Sequence, residues 1–248
     1  MSMNNRGEDA DAVAQTRAIW DAKAEYWDAR HGDAGNRFHQ TLVGPSCERL
    51  LHIQPGEHVL DVGCGNGVFA RRLAMLGAQV LATDFSAEFL KRARARDTGK
   101  AARRIEYQQV DATSELELRA LGEAAFDAFV CLMAFQDMPT IQPLLSAARY
   151  VLKPGGRFVF AIPHPAFNIA GGSKLLLEEG RMAGEPLPHH YFHRTLTEIL
   201  TLGFGLEWVM DGIEEPACGP DVNNTKRALG WLNFKHIPPV FAARLRLC

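Results

Sequence analysis

The sequence predicts an α/β protein with a mainly parallel seven-stranded sheet and helices on both faces. Three observations predict it. From about Glu57 onward, short β-branched or aromatic runs ending in turn residues alternate with segments of helical spacing. Five of those runs read as the buried strands of a parallel sheet. The alternation of the two patterns means strand-helix-strand crossovers. The length of 248 residues, 47% of them hydrophobic, fits one domain with embellishments, because single cores stop growing near roughly 250–300 residues.

Residues 1–52 form an N-terminal helical cap, with a helix from Asp9 to about Arg30, a Gly-rich break and a second helix from Gln40 to His52. The core follows over 53–248. Its buried strands are EHVLDVG, AQVLATD, RIEYQQVDA, FDAFVCL and RFVFAIP. Helical spacing runs over Gly67–Leu76, Ser86–Arg96, Pro139–Leu152 and Thr195–Leu202. Ser86 is the expected N-cap of the second of these, and Gly77, Gly155 and Gly203 are placed to cap three helix ends. Lys153-Pro154-Gly155-Gly156 stops a helix and restarts a strand. GFGLEWVMDGIEE and PVFAARLRLC supply the last two strands. Residues 164–194, rich in Pro, Gly and His, with one apolar cluster at Leu175–Leu177, are expected to form a lid over the site.

A formal charge of −2 provides no general field for a polyanion, so no nucleic-acid partner is expected and small ligands are favoured. The basic stretch Lys91, Arg92, Arg94, Arg96, Lys100, Arg103 and Arg104 reads as a solvated helix face. No run reaches the roughly 18 apolar residues of a membrane helix, and the acidic start lacks a signal-peptide core. No membrane association is expected, and the location is expected to be cytoplasmic. The cysteines, Cys47, Cys64, Cys131, Cys218 and Cys248, form no Cys-x-x-Cys pair and read as reduced thiols.

The strongest chemical signal is Asp61-Val62-Gly63-Cys64-Gly65-Asn66-Gly67, a buried strand entering a glycine-rich turn and then a helix. Such a turn lets an extended, nucleotide-like ligand lie against bare main chain. The dinucleotide fingerprint G-x-G-x-x-G needs Gly or Ala at position 68, where this chain has Val68. Asp61, immediately before the turn, would repel a pyrophosphate but could position an ammonium group.

DVGCGNG resembles the first motif of the class I S-adenosylmethionine-dependent methyltransferases, and the later elements fall where that family has them across roughly residues 57–165. The resemblance implies a Rossmann-like fold and S-adenosyl-L-methionine as cofactor. Its methionine part would lie on Asp61, Gly63, Cys64, Gly65, Asn66 and Gly67. Its ribose would lie on Asp84 with Phe85 beside it, and its adenine amino group at Asp111-Ala112. Leu132 and Met133 would form the wall beside the reactive methyl, and Tyr26 or Trp27 could close over the cofactor from the N-terminal helix. These chemistries suit the residues, since a carboxylate accepts from a ribose diol and from an adenine amino group.

The implied activity is methyl transfer to a small-metabolite acceptor at oxygen, nitrogen or carbon. CLMAFQDMP after the fourth strand lacks the Asn/Asp-Pro-Pro-aromatic motif of the nucleobase amino and glutamine methyltransferases. Transfer from a sulfonium rests largely on alignment, with deprotonation added when the acceptor needs it. His164, directly after the fifth strand, is the candidate proton acceptor, with pocket shaping as the alternative. Gln136, Asp137 and His193 are candidate substrate contacts. The run His189-His190-Tyr191-Phe192-His193 lacks zinc-site spacing, so no metal is assigned. Cys64 and Cys131 read as turn and core residues rather than nucleophiles. Two alternatives remain open: a nicotinamide-dependent oxidoreductase, and a cofactor-binding protein of this fold without methyl transfer. Oligomeric state is not legible.

Overall fold

The structure, a computed structural model, describes residues 3–99, 101–165, 190–217 and 238–247. Seven strands are present: β1 His58–Val62, β2 Gln79–Asp84, β3 Ile105–Gln109, β4 Phe126–Leu132, β5 Leu152–Pro163, β6 Trp208–Glu214 and β7 Val240–Leu247. They lie in the order β3-β2-β1-β4-β5-β7-β6. β7 is antiparallel to both β5 and β6, while the other pairings are parallel. Because β2 and β4 flank β1 on opposite sides, the chain reverses its winding there, and the carboxyl ends of β1, β2 and β4 frame the crevice where such sheets bind ligands.

The strand period of two divides the core by size. Leu60, Val62, Phe129, Cys131, Phe158 and Phe160 face one side, where they pack with Trp208 and with helix α6, Gln142–Val151. Val59, Val80, Ala82, Ala128, Val130, Val159 and Ala161 face the other, against α2, Gly44–Leu51, and α3, Val68–Met75. The larger side is an aromatic stack, with Phe129 edge-on to Phe158 at 4.8 Å and Phe135 parallel to Phe160 at 5.0 Å. At the amino end of the strands, Arg157 is almost fully buried and holds Glu57 through two hydrogen bonds of 2.9 and 2.6 Å. This ion pair lies opposite the crevice and serves the fold.

The long helix α1, Met3–His31, lies beside α4, Ala87–Arg96. Ser86 caps α4 as expected, accepting the Phe89 N–H. Several details differ from the sequence expectation. The second N-terminal helix begins as a π-turn over His39–Val43 before α2. Lys153–Gly156 lies inside β5 as a bulge, marked by a register shift against Phe126 and Ala128, with Gly155 at φ 77°. Gly203 is a buried residue within α7, Leu196–Gly205, rather than a cap. The strand expected from Gly203 therefore starts only at Trp208, after a left-handed turn at Glu207. A five-residue helix, α5 Glu115–Arg119, was too short to show periodicity.

The basic stretch is not simply a solvated face: Arg92 pairs with Glu25 at 3.4 Å, and Arg96 pairs with Asp28 at 2.5 Å and with Asp33 at 2.7 Å. These arginines fasten α1 and the loop after it to α4. No helix among the described residues is long and apolar enough to cross a membrane. Most of the expected lid, residues 166–189, lies outside the described residues, as do Lys100, Cys218 and Cys248.

Candidate active site

The glycine turn is built by the backbone. After β1, the N–H groups of Gly63 and Cys64 both donate to the Thr83 carbonyl of β2, at 2.8 and 3.0 Å. Gly63, Gly65 and Gly67 have φ values of 70°, 54° and 77°, a region that L side chains rarely enter. Space restricts two of these positions further, since a Cβ on Gly63 would come within 2.8 Å of Ala134 and one on Gly67 within 2.5 Å of the Tyr107 hydroxyl. A Cβ on Gly65 would touch only Phe89, at 3.9 Å. The Asn66 side chain is spent on the fold, donating to Asp28 at 2.9 Å and to the Gly32 carbonyl at 3.2 Å.

Two buried carboxylates stand at this turn. Asp84, at the end of β2, accepts the Gly65 N–H on Oδ2 and the Ser86 N–H on Oδ1, each at 2.9 Å. A carboxylate has about four acceptor positions, so capacity remains for two more donors. Burial raises its pKa to about 6 against the pull of those N–H groups. Asp61 is 2% exposed, and its Oδ2 has no hydrogen-bond partner among the described residues. Burial, with the Asp84 charge nearby, raises its pKa to about 7. An unpartnered carboxylate oxygen beside a glycine turn fits an ammonium ligand group. Cys64 and Cys131 are held well above the ordinary thiol range by burial, which keeps them protonated and unsuited to nucleophilic attack.

Asp111, just past β3, is 9% exposed and accepts the Thr113 N–H and hydroxyl on Oδ1, at 2.8 and 2.6 Å. Its Oδ2 accepts from Arg17 of α1 at 2.9 Å. Gln109 donates to the Phe85 carbonyl, and Ala112 packs on the core beneath. Farther along α1, Asp21 accepts from the Ser86 hydroxyl at 2.5 Å, while Trp20, Trp27 and Phe89 cluster beside Gly65. Tyr26 sits edge-on to Trp27, and its hydroxyl is bonded to Arg30.

Leu132, the last residue of β4, and Met133, just past it, pack on the side of the core shared with Cys64. Met133 adopts φ 55°, uncommon for a bulky residue, and its N–H is tied to the Ala161 carbonyl at 2.7 Å. A shallow, solvent-open cleft adjoins this end of the sheet, lined by Phe135, Gln136, Ile162, Pro163, Phe192 and Arg194 among others. Gln136 turns its amide N–H toward the Met133 carbonyl and toward Asp137, and its buried Oε1 has no donor among the described residues. The segment 190–194 is fastened over this region. Phe192 N–H donates to the Gln136 carbonyl at 2.7 Å, and Arg194 donates to the carbonyls of Phe135, Met138 and Pro139. His193 is exposed, and the cleft is lined instead by its neighbours.

His164 follows β5 as expected and is 6% exposed. Its Nε2 lies 2.7 Å from Glu215 at the end of β6, and its backbone N–H donates to Pro239. The adjoining Pro163 lines the cleft. Sequence reasoning missed Glu215, although an acidic residue at the carboxyl end of a strand is a readable signal. It also missed Arg17, which no local pattern distinguishes from any solvated helical arginine.

A family profile for a methyltransferase domain matches residues 60–160. A ubiquinone biosynthesis O-methyltransferase of Xanthomonas campestris is 36% identical over 102 residues, which are 41% of this chain and 41% of that protein. The match therefore spans less than half the length of that relative. Among solved structures, an S-adenosylmethionine-dependent methyltransferase from Mesorhizobium loti superposes with a TM-score of 0.62 at 22% identity, covering 82% of this chain and 96% of that one. One from Aquifex aeolicus gives 0.62 at 14% identity, covering 92% and 98%. The glycine turn, the strand order and these likenesses agree: residues 60–160 match a methyltransferase-domain profile, and the described residues have the fold of the class I S-adenosylmethionine-dependent methyltransferases.

Proposed function

We propose that this protein transfers a methyl group from S-adenosylmethionine to a small-molecule acceptor. The observation that carries the proposal is the pair of buried carboxylates, Asp61 and Asp84, at the ends of adjacent strands across one glycine turn, with Asp61 Oδ2 unpartnered among the described residues. Asp61 would hold the ammonium group, Asp84 the ribose hydroxyls and Asp111 the adenine amino group. When bound, the cofactor supplies an electrophilic methyl on a sulfonium, whose positive charge is lost as the methyl leaves. The protein's own work is alignment and exclusion of water. The glycine turn and the Leu132–Met133 wall fix one side, and the cleft under residues 190–194 receives the acceptor. Gln136 Oε1 offers an acceptor to a substrate O–H or N–H there, with Asp137 adjacent.

His164 takes the proton released by a hydroxyl or acidic-carbon acceptor, and the Glu215 carboxylate at Nε2 stabilises the imidazolium that forms. The name of the Xanthomonas relative makes hydroxyl acceptors the first class to assay. Residues 190–194 and α1 are proposed to border the bound ligands. The test is calorimetry with S-adenosylhomocysteine, NAD and NADP, followed by a methyl-transfer screen over hydroxyl, amine and carbon acceptors. Binding of S-adenosylhomocysteine alone with turnover of an acceptor is expected. Binding of a nicotinamide cofactor instead would overturn the proposal, and binding without turnover of any acceptor would reduce the protein to a cofactor binder.

A further inference from the structure

Arg17 sits where a ligand of this cleft would be expected to sit. Its Nη2 donates to Asp111 Oδ2 at 2.9 Å, and its guanidinium lies 5.8 Å from the centroid of the Phe85 ring. A planar group that covers Phe85 and gives one N–H to Asp111 is also the description of a bound adenine under the proposed function. The Arg17 Nε–H is buried and has no acceptor among the described residues. The slot thus satisfies a planar group with a single N–H aimed at Asp111 better than it satisfies a guanidinium, which carries five donors.

The rest of α1 does not depend on this contact. It is fastened farther along by Asp21 on the cap of α4, by Glu25 and Asp28 on Arg92 and Arg96, and by Asp28 on Asn66. The Arg17 side chain is 40% exposed, so it can rotate into solvent without lifting the helix. Thr16, next to it, bonds His190 at 3.1 Å, which places the start of the acceptor-side segment one residue from this position.

We propose that Arg17 is an internal competitor of the cofactor's adenine: in the free protein its guanidinium occupies the place between Phe85 and Asp111, and binding expels it. The proposal rests on the assignment of this cleft as the S-adenosylmethionine site. It makes Arg17 a residue that lowers cofactor affinity and slows association, the reverse of the usual expectation for a side chain in a ligand cleft.

The experiment is stopped-flow and calorimetric binding of S-adenosylhomocysteine to wild type, Arg17→Ala and Arg17→Gln, with Asp84→Asn as the reference for the cleft itself. Loss of a partly exposed charge-assisted contact predicts a dissociation constant about three- to tenfold lower in both Arg17 variants, carried mainly by a faster association rate. Arg17→Gln keeps part of the aliphatic stem and covers the case in which Arg17→Ala perturbs α1. In wild type, which needs no substitution, raising the salt concentration weakens the Arg17–Asp111 pair and should speed association. The same salt should have little effect on the variants. Equal or weaker binding by folded Arg17 variants, or a wild-type association rate indifferent to salt, overturns the competitor role. Absence of S-adenosylhomocysteine binding in wild type would instead remove the cleft assignment on which the proposal stands.

Discussion

Replacing Asp84 by Asn tests the centre of the site while changing shape little. In the native protein the carboxylate accepts the Gly65 and Ser86 N–H groups, each at 2.9 Å, and retains two acceptor positions for a ribose diol. Asparagine keeps one carbonyl acceptor and turns an NH₂ toward one of those two backbone donors, leaving that donor unsatisfied at a cost of about 1–3 kcal/mol. Removal of a carboxylate whose pKa is already raised to about 6 by burial offsets part of this loss. The net fall in stability should therefore be small, on the order of 1 kcal/mol, or about 2–4 °C in melting temperature for a chain of this size. Binding should suffer more, because hydrogen bonds to a charged acceptor are worth about 1.5–3 kcal/mol. That corresponds to about a ten- to hundredfold rise in the dissociation constant. Calorimetry with S-adenosylhomocysteine at pH 8, paired with thermal melts, measures both. A folded variant with wild-type affinity would refute the assignment of Asp84 to the ribose.

Four further outcomes are expected. Affinity for S-adenosylhomocysteine should fall as pH drops below about 7, because Asp61 and Asp84, with pKa values raised to about 7 and about 6, take up protons there; a flat calorimetric profile from pH 5.5 to 8 would contradict it. Stability should be governed by opposed groups, since burial raises those two acids and lowers His31 and His39 to about 4. In Asp61→Asn the histidines prevail: the native protein binds fewer protons than the unfolded chain between pH 7 and 5, so urea denaturation should show stability falling as pH falls through that window. Gly67→Ala must hold φ at 77° and bring a methyl within 2.5 Å of the Tyr107 hydroxyl, so a loss of about 1–3 kcal/mol is expected in the same assay. His164→Asn should slow single-turnover transfer to a hydroxyl acceptor about a hundredfold or more while cofactor affinity stays nearly intact; an unchanged rate in the folded variant would leave His164 with a shaping role only.

What the sequence determined by itself was whatever depends on neighbours along the chain. The buried strand Val59–Val62 running into the turn, the glycines at 63, 65 and 67, the cap at Ser86 and the aspartates at the ends of β1 and β2 are local patterns, and the structure holds them where the patterns predict. Boundaries were read wrongly where packing overrode local signals. The bulge at Lys153–Gly156 lies within a strand because β4 continues to pair across it, and Gly203 stays helical because it is buried on α7 ahead of Trp208. The pairs that give the cleft its chemistry were decided only by the tertiary structure. Asp21 meets Ser86 across 65 residues, Arg17 meets Asp111 across 94, and His164 meets Glu215 across 51. Spacing along the chain carries no information about such meetings, because each crossover returns the backbone to the sheet at a distance set by packing rather than by residue count.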